Sequence, residues 1–375
     1  MKVRVERDVL AESVAWAART LPSRPSLPVL AGLVLTANDG SLTISSFDYE
    51  VSGRVEVDAD ITDSGVCLVS GRLLADIARS LPVAPVVLES EGSRLQLTCG
   101  RSSFTLPTLP AEDYPQLPSM PTTSGSIGGR AFAEAVAQVA IAAGRDDTLP
   151  TLTGIRIEIE GASMTLAATD RYRLAVRELV WQPTSSSLST HALIPARTLA
   201  DTAKALDDVE EVLLALASAG AGDGLVGFEG NSRRTTTRLL DGEFPKYRSL
   251  LPSESAAIAS VDTAVLSEAV KRVALVAERN TPVRLAFSAS ELTLRAGAGD
   301  DASAEEAVEC SLEGDAIDIA FNPAYLLDGL TAVSSDTTRF SFTQSTRPAV
   351  LTAGADASHD TDSYKYLLMP VRLTG

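Results

Sequence analysis

The sequence VSGRLLADIA at residues 69–78 returns in related form as IPARTLADTA at residues 194–203 and as FNPAYLLDGL at residues 321–330. The aspartates of these segments, Asp76, Asp201 and Asp328, are 125 and 127 residues apart. A period of this length is far above the roughly 20–50 residues of solenoid repeats and matches a whole domain. The sequence therefore predicts three tandem copies of one domain, in a protein that supplies geometry rather than a single catalytic cleft.

Length and composition fit three folded domains. The chain has 375 residues, 45% of them hydrophobic, and a mean hydropathy of +0.12, so each copy can bury a core of its own. The N-terminus lacks the apolar core of a signal peptide, and no apolar run reaches membrane-spanning length, so no membrane partner is expected. Cys67, Cys99 and Cys310 are odd in number and scattered, which predicts reduced core thiols in a cytoplasmic protein.

The net charge of −17 argues against a protein that simply coats nucleic acid. Acidic and basic side chains nearly cancel, however, within the segments that have helical patterns. These segments are residues 8–24, 69–82, 130–145, 194–207, 263–279 and 321–336. Because charges are screened beyond a Debye length of about 8 Å at physiological salt, an acidic exterior is compatible with a local basic surface built from helices.

The organisation of each copy is the same. An amphipathic helix is followed by strands of alternating pattern, by the second helix with the repeated motif, and by further strands. Pro- and Ser-rich links at 115–129 and 251–255 separate the copies, so we expect domains at 1–120, 128–250 and 252–375. The predicted fold class is α+β, with two helices on antiparallel sheet in each domain and with sheet edges that could pair between copies.

Residues suited to catalysis are few. His191 and His359 both lie in loop-like sequence, which favours solvated histidines over a metal site or a catalytic triad. The run from Gly220 to Gly224 precedes a strand rather than a helix, which favours a hairpin turn over a dinucleotide site. Asp48 and Asp170 occupy matched positions, and a structural turn is the preferred interpretation. We therefore predict no catalytic residue, no cofactor and no metal.

Two other functions stay open at this stage. One is a carboxylate-dependent hydrolase that uses Asp48 or Asp170. The other is a β-rich extracellular ligand-binding protein of three domains, which the missing signal peptide and the missing disulfide framework disfavour.

Basic side chains recur on the second helices. Arg72 and Arg79 are seven residues apart, as are Arg197 and Lys204, so each pair shares one helical face. Long cations without interleaved aromatic residues suit sequence-independent contact with phosphates. An ordinary solvated helix face is the alternative. The second helix of the third copy has no basic residue, so we expect it to contribute least.

Two stretches favour partner binding. The C-terminal run 366–373 is apolar, and residues 169–174 place an aromatic residue beside two arginines. A closing strand and a strand-end turn are the corresponding structural alternatives.

Five motifs join the threefold repeat. They are RPSLPVL (24–30), LPTLPAEDYP (106–115), ATDRYRLA (168–175), DGEFPKY (241–247) and YLLMPVRL (366–373). Together, and in this order over the whole chain, they resemble the beta subunits of bacterial DNA polymerase III, the sliding clamps.

The resemblance implies a protein without chemistry of its own that confers processivity on a DNA-directed DNA polymerase. It implies a head-to-tail homodimer, with six similar domains in a ring whose helices surround duplex DNA. The implied partners are the clamp loader, replicative and translesion polymerases, ligase and mismatch-repair proteins, in the cytoplasm at replication forks of the nucleoid.

The resemblance also assigns residues to three surfaces. Phe104 and Leu106 of one chain would pack near Leu275 of the other, and Arg24, Arg72 and Arg197 would lie near DNA. Arg79 and Lys204, on the helix faces of Arg72 and Arg197, would then face DNA as well. A pocket between copies two and three would take client peptides with Leu and Phe anchors at roughly micromolar affinity. It would comprise Leu152, Thr169, Arg171, Tyr172, Arg173, Leu174, Pro245, Leu250, Asn322, Tyr325, Pro348, Leu367, Leu368, Met369, Pro370, Val371 and Arg372. The chain has Arg171-Tyr172 where some relatives have Gly-His and Ser249 where some have Arg, which bears on the fine specificity.

Overall fold

The computed structural model describes residues 1–216, 224–277, 281–297, 302–354 and 364–372. The chain forms two compact units. The first unit comprises residues 1–130, 182–185 and 201–239, and the second comprises 131–181, 186–200 and 240–375. Each unit therefore combines one terminal copy of the repeat with part of the central copy.

Each copy runs helix, strands, helix, strands, as the sequence predicts, but it opens with a short strand (β1, β10 or β19 below) that was not predicted. The first copy contains β1 (Lys2–Val5), α1 (Arg7–Ala17), β2 (Gly32–Asn38), β3 (Ser41–Phe47), β4 (Val51–Asp58), β5 (Asp60–Asp63), β6 (Gly65–Ser70), α2 (Gly71–Ser80), β7 (Val86–Glu91), β8 (Arg94–Cys99) and β9 (Ser102–Leu109). The central copy contains β10 (Gly125–Ile127), α3 (Gly129–Ala140), β11 (Gly154–Glu160), β12 (Ser163–Thr169), β13 (Arg173–Val180), β14 (Gln182–Pro183), β15 (Ser189–Pro195), α4 (Ala196–Ala205), β16 (Val212–Leu216), β17 (Leu225–Gly230) and β18 (Arg233–Arg238). The third copy contains β19 (Ala257–Asp262), α5 (Thr263–Val273), β20 (Val283–Phe287), β21 (Glu291–Ala296), β22 (Ala304–Glu313), β23 (Ile317–Phe321), α6 (Pro323–Val333), β24 (Thr337–Phe342), β25 (Ala349–Ala353) and β26 (Tyr364–Leu368).

The six predicted helices are present, but most end several residues early. The segment predicted at 8–24 is helical to Ala17 and continues only as a 3-10 turn over Ala18–Thr20. Caps explain the sharper boundaries: the Asp262 carboxylate accepts the Val265 N–H at the start of α5. Helix α6 ends at Val333, because the next residue, Ser334, adopts a left-handed conformation with φ of 50°. None of these helices is long and apolar enough to cross a membrane, within the described part of the chain.

The first unit contains a sheet of 14 strands in the order β14-β10-β16-β17-β18-β4-β3-β2-β6-β9-β8-β7-β1-β5. The first and central copies meet where β18 pairs antiparallel with β4, with Thr235 opposite Gly53. The main core packs apolar residues of α1 and α2, such as Val14 and Leu74, against strand residues such as Leu33 and Leu95, all fully buried. Burial of this amphipathic helix face is the main reason that the helices form here.

The second unit contains a sheet of 12 strands in the order β15-β11-β12-β13-β26-β25-β24-β19-β22-β21-β20-β23. The central and third copies meet where β13 pairs antiparallel with β26, with Ala175 opposite Tyr366. Three buried rings, Phe287, Phe340 and Phe342, pack with centroids 5.0 to 6.0 Å apart in the core of the third copy. The predicted pairing of sheet edges between copies is thus found at both junctions.

The histidines and cysteines differ in part from the local predictions. His191 does not lie in a loop: it is an exposed residue of the edge strand β15, where it pairs with Glu158 of β11, and the polar start of this strand, Ser189 to His191, resembles a loop in sequence. His359 and the run 220–223 lie outside the described residues. Cys67 and Cys99 are buried as predicted, whereas Cys310 is only half-buried and is not a full core thiol.

Candidate partner-binding site and charged surfaces

The second unit contains a cavity of about 750 Å³ at the junction of the central and third copies. Its walls come from the segment after α3, from the turn between β12 and β13, and from the first turns of α6. The lining residues are Ala143, Gly144, Arg145, Asp146, Leu149, Leu152, Asp170, Arg171, Tyr172, Arg173, Ala324, Tyr325 and Asp328. A concave site of this size with a few fixed polar groups is typical of a binding site.

Arg173 is the centre of the polar network in this cavity. Its side chain is 5% exposed and forms ion pairs with Asp170 at 3.0 Å and with Asp328 at 2.5 Å. Its guanidinium carbon lies 4.3 Å from the centroid of the Tyr325 ring. Burial lowers the pKa of Arg173, but Tyr366 and the two carboxylates outweigh it, so the pKa is raised and the side chain stays charged. This buried cation fixes the Tyr325 ring against the cavity.

The turn before β13 places Tyr172 over the same ring. Tyr172 and Tyr325 stack with centroids 6.3 Å apart and an interplanar angle of 29°. The Asp170 carboxylate accepts the backbone N–H groups of Tyr172 and Arg173, each at 3.0 Å. Arg171, between Asp170 and Tyr172, has φ of 77°, a strained conformation for a residue other than glycine. The turn therefore holds its aromatic residue out at 58% exposure.

The matched aspartate of the first copy has the same role. The Asp48 carboxylate accepts the N–H groups of Glu50 and Val51, and the intervening Tyr49 has φ of 76°. The predicted turn role of both aspartates is confirmed, since each carboxylate is engaged by its own backbone.

The C-terminal run is fixed rather than frayed. Strand β26 lies between β13 and β25, and beyond it the N–H of Met369 donates to the Tyr172 carbonyl at 2.9 Å. The N–H of Val371 donates to the Ala320 carbonyl at 2.8 Å. Leu367 and Leu368 are buried at 2% and 0% exposure, so these two do not offer a surface, contrary to the expectation. Both edges of β26 are paired, because it is an interior strand of the sheet, and of its five residues only Lys365 is exposed.

A second apolar region adjoins the ends of these strands. Buried Leu174 and Leu367 form a cluster with Phe244, Tyr247 and Val350. The register places Ala349, Leu368 and Arg173 side by side, so the residues next to them, Pro348, Met369 and Tyr172, end three adjacent strands. Exposed apolar side chains of the predicted site are Tyr172, Leu250, Met369 and Val371.

The predicted pocket residues thus fall into three groups, with Asn322 apart from them. Leu152, Arg171, Tyr172, Arg173 and Tyr325 line the cavity. Thr169, Leu174, Leu367 and Leu368 are buried and can only support it. Pro245, Leu250, Pro348, Met369, Pro370, Val371 and Arg372 lie at least partly on the surface, while Asn322 caps α6 by accepting the N–H groups of Ala324 and Tyr325.

Sequence reasoning did not assign eight of the lining residues to this site, those of the run 143–146 together with Leu149, Asp170, Ala324 and Asp328. For Asp328 a signal was available, since it is the repeated aspartate. Its partner Arg173 lies 155 residues earlier in the chain, a distance that periodicity does not bridge.

The predicted DNA-facing residues are all exposed. In the first unit, Arg72 donates to the Pro22 carbonyl at 3.2 Å, and Arg79 lies 3.8 Å from Asp76 with both side chains 74% exposed. Arg197 and Lys204 are exposed residues of α4. The six helices carry eight basic and seven acidic residues in a chain of net charge −17, so the excess of acid lies elsewhere.

The predicted interface residues differ in exposure. Leu275, on the turn after α5, is 84% exposed, and Phe104 is half-buried. Leu106 is 1% exposed and belongs to the core of its own chain, so it offers no surface to a second chain. The alternation of β9 turns this side chain inward.

Three tandem domains of one α+β pattern, joined strand to strand, define the DNA-clamp class. Comparison with known families agrees. The N-terminal, central and C-terminal domains of the DNA polymerase III beta subunit match residues 1–118, 126–246 and 248–372. The chain belongs to the DNA polymerase III beta subunit family, whose members are non-catalytic sliding clamps that give the polymerase its processivity.

Individual relatives cover the full chain. A beta sliding clamp of Streptomyces coelicolor is 62% identical over 377 residues, with 100% of both chains covered. A beta sliding clamp homolog, GriR of Streptomyces muensis, is 48% identical over 99% of both chains. The crystal structure of the Pseudomonas aeruginosa clamp bound to griselimycin matches with a TM-score of 0.92 at 28% identity over 100% of both chains. The Bacillus subtilis clamp matches with a TM-score of 0.92 at 27% identity over 100% of both chains.

Proposed function

We propose that two copies of this chain close head to tail into a ring around duplex DNA, with domains at residues 1–120, 128–250 and 252–375 of each chain. The observation that carries the proposal is a repeated strand pairing. The last strand of the central copy, β18, pairs with β4 of the first copy. In the same way, the last strand of the third copy, β26, pairs with β13 of the central copy.

In the described part of the chain, the equivalent edges of β9 and β22 do not pair with each other. Residues 102–107 of β9, the last strand of the first copy, pair on one side only, with β8. Residues 304–309 of β22, which corresponds to β4 and β13, pair on one side only, with β21. A heterologous interface in which β9 of one chain meets β22 of another uses both edges and closes a ring after two chains.

The repeat also gives the register of this interface. Gly53, Ala175 and Ala304 are equivalent positions of the three copies. The strand before each contains a related motif, LTI in β3, MTL in β12 and LTL in β21, and the residue two positions after that motif pairs with Gly53, Ala175 or Ala304. Thr235 faces Gly53, and Tyr366 faces Ala175.

Phe104 of β9 is equivalent to Thr235 of β18. Each lies two residues after the first residue of its strand that pairs with the preceding strand, β8 or β17. Phe104 would therefore face Ala304 of the partner subunit, and Ser103 would face Glu305 of the partner subunit. Leu275 would lie beside this contact, since Arg272 of α5 is paired with Glu306 of β22.

The exposed cations suit the inner surface of such a ring. Arg24, Arg72, Arg79, Arg197 and Lys204 would touch phosphates of any sequence, while the acidic remainder of the chain keeps DNA off the outer surface. Weak, salt-sensitive contacts of this kind permit sliding.

The second unit supplies the partner site. A client peptide would place apolar anchors on Pro245, Leu250, Pro348 and Met369 and continue along Tyr172 into the cavity, at roughly micromolar affinity. Pro370, Val371 and Arg372 would border it. Clients of this site would be the clamp loader, replicative and translesion polymerases, ligase and mismatch-repair proteins, in the cytoplasm at nucleoid-associated forks.

Plasmid topology tests the ring. After the host clamp loader has acted, the protein should remain on nicked circular plasmid through gel filtration and leave when the plasmid is cut once. Retention on the linear product with free ends would contradict encirclement. For the partner site, removing residues 369–373 should abolish binding of a polymerase-tail peptide while the dimer persists, and unchanged affinity would refute that placement.

A further inference from the structure

A hydrogen-bond network outside the cavity holds the segment that links the central and third copies. Glu158 of β11 accepts three hydrogen bonds from side chains. Arg156 donates from Nε at 2.7 Å, the Tyr247 hydroxyl donates at 3.0 Å, and Arg248 donates at 2.8 Å. The Glu158 side chain is 20% exposed, so the carboxylate is partly shielded from water and its bonds are charge-assisted.

Two of the three donors, Tyr247 and Arg248, belong to a short turn beside the proposed partner site. Tyr247–Leu250 is a 3-10 turn, and it carries the exposed Leu250 three residues after Tyr247. The Tyr247 ring is 3% exposed and meets Phe244 edge to face at 6.0 Å. Arg248 lies over the Tyr247 ring, with its guanidinium carbon 5.5 Å from the centroid. One carboxylate therefore fixes both residues at the start of the turn.

The network is specific to the central copy. Thr36 in the first copy and Ala286 in the third are equivalent to Glu158. Each of the three follows the residue that pairs with the last residue of the motif LTI, MTL or LTL in the neighbouring strand. Neither a threonine hydroxyl nor an alanine methyl can accept three charge-assisted bonds. Only the copy whose linker borders the partner site carries the carboxylate.

Burial opposes the charged form of Glu158, yet the three donors outweigh it and hold the pKa of this carboxyl below its ordinary value. The carboxylate is thus ionised wherever the protein is folded at neutral pH. Apolar packing of Phe244 and Tyr247 adds to these bonds.

We infer that Glu158 is a positioning residue for client peptides: it holds the 247–250 turn so that Leu250 and Pro245 present one wall of the partner site. The inference rests on the proposed function of that site. A peptide that inserts an apolar anchor against a preset wall does not have to order the turn on binding, and this preorganisation raises its affinity.

The test compares four variants of the full chain with a polymerase-tail peptide that carries Leu and Phe anchors. They are Glu158→Gln, Leu250→Ala, the double variant, and Glu160→Gln as the matched control on the exposed end of the same strand. Because a charge-assisted network is lost, Glu158→Gln should weaken the peptide about tenfold. It should also speed amide hydrogen exchange over residues 244–250, whereas Glu160→Gln should change neither.

The double variant separates positioning from general loosening. If Glu158 acts through Leu250, adding Glu158→Gln to Leu250→Ala should cost clearly less than tenfold further. Tyr247→Phe, which removes only a hydroxyl, is the second probe and should give a smaller loss in the same direction.

The inference would be overturned if Glu158→Gln binds the peptide within twofold of the wild-type affinity. It would also be overturned if the losses of the two single variants simply add in the double variant; in both cases the proposed site itself would stand. If the wild-type protein binds no peptide, the proposed site itself fails and the inference falls with it.

Discussion

Gly329 offers a direct test of how the partner site is supported. This glycine lies inside α6, and a Cβ built there would come 2.4 Å and 2.5 Å from Cε1 and Cδ1 of the Tyr366 ring. Real side chains do not approach so closely, so the ring or the helix must move. The ring has little freedom, because Tyr366 is fully buried and its hydroxyl donates to the Tyr325 carbonyl at 2.8 Å.

Two opposing effects set the size of the change. Replacing glycine by alanine in a helix interior favours folding by about 1 kcal/mol. Overpacking of a rigid core costs about 1–3 kcal/mol, and contact with two ring atoms places this site at the upper end. We therefore expect Gly329→Ala to destabilise the protein by about 2 kcal/mol net. Because α6 carries Tyr325, the same shift should also weaken peptide binding.

The assay is urea unfolding followed by tyrosine fluorescence, together with peptide titration. Gly128→Ala is the control, because the nearest atom to its added Cβ is 3.8 Å away and ordinary contact results. In a Tyr366→Leu background the alanine should cost much less, since the ring that it meets is gone. A Gly329→Ala protein as stable as wild type would refute the reasoning, because helix propensity would then have decided the outcome.

Three further predictions concern titration, thiols and DNA. A lowered folded pKa means that the stability from Glu158 is fully present above the ordinary glutamate value of 4.5 and is lost as the pH falls through the folded value. The difference in unfolding free energy between wild type and Glu158→Gln should therefore be constant near neutrality and vanish in acid; a difference that persists in acid would contradict it. Burial raises the pKa of the Cys67 thiol to about 11 and also raises that of Cys310, so alkylation near neutrality should spare Cys67 and modify Cys310 slowly. Rapid loss of both thiols in the folded protein would count against this. Arg72→Ala and Arg197→Ala should each lower the salt dependence of binding to short duplex DNA by about 0.9 in log–log slope, as expected for one phosphate contact, and an unchanged slope would remove that residue from the DNA surface.

The fold was largely predictable from the sequence, because it depends on local periodicity. The repeat around Asp76, Asp201 and Asp328 and the alternating strands were enough to predict six helices and antiparallel sheet in three copies. Helix ends were less predictable, since caps and 3-10 turns such as Ala18–Thr20 depend on single residues.

The site was only partly predictable, because its key contacts join distant parts of the chain. The ion pair of Arg173 with Asp328 and the stack of Tyr172 on Tyr325 depend on the pairing of β13 with β26, which no local pattern encodes. The cap formed by Asn322, in contrast, could have been predicted from an asparagine that precedes a proline at the start of a helix.

Burial explains the remaining errors. Leu106, Leu367 and Leu368 were assigned to surfaces by the family resemblance, yet each is buried in its own chain. An apolar residue beside an interface and one beneath it have the same sequence signature, and only the register of β9 and β26 distinguishes them.

In the proposed ring, two chains close around DNA with β9 of each against β22 of the other. The most direct measurement uses Ser103→Cys with Glu305→Cys in a Cys310→Ser background, loaded on nicked circular plasmid and oxidised. The proposed register brings the new cysteines of different chains within disulfide reach, whereas Ser103→Cys with Glu309→Cys should not cross-link. We predict that the cross-linked protein stays on the circular plasmid in denaturing detergent and is released when the plasmid is cut. Failure to cross-link would contradict the proposed register of β9 against β22, and loss of the cross-linked protein from intact circles would contradict encirclement of DNA.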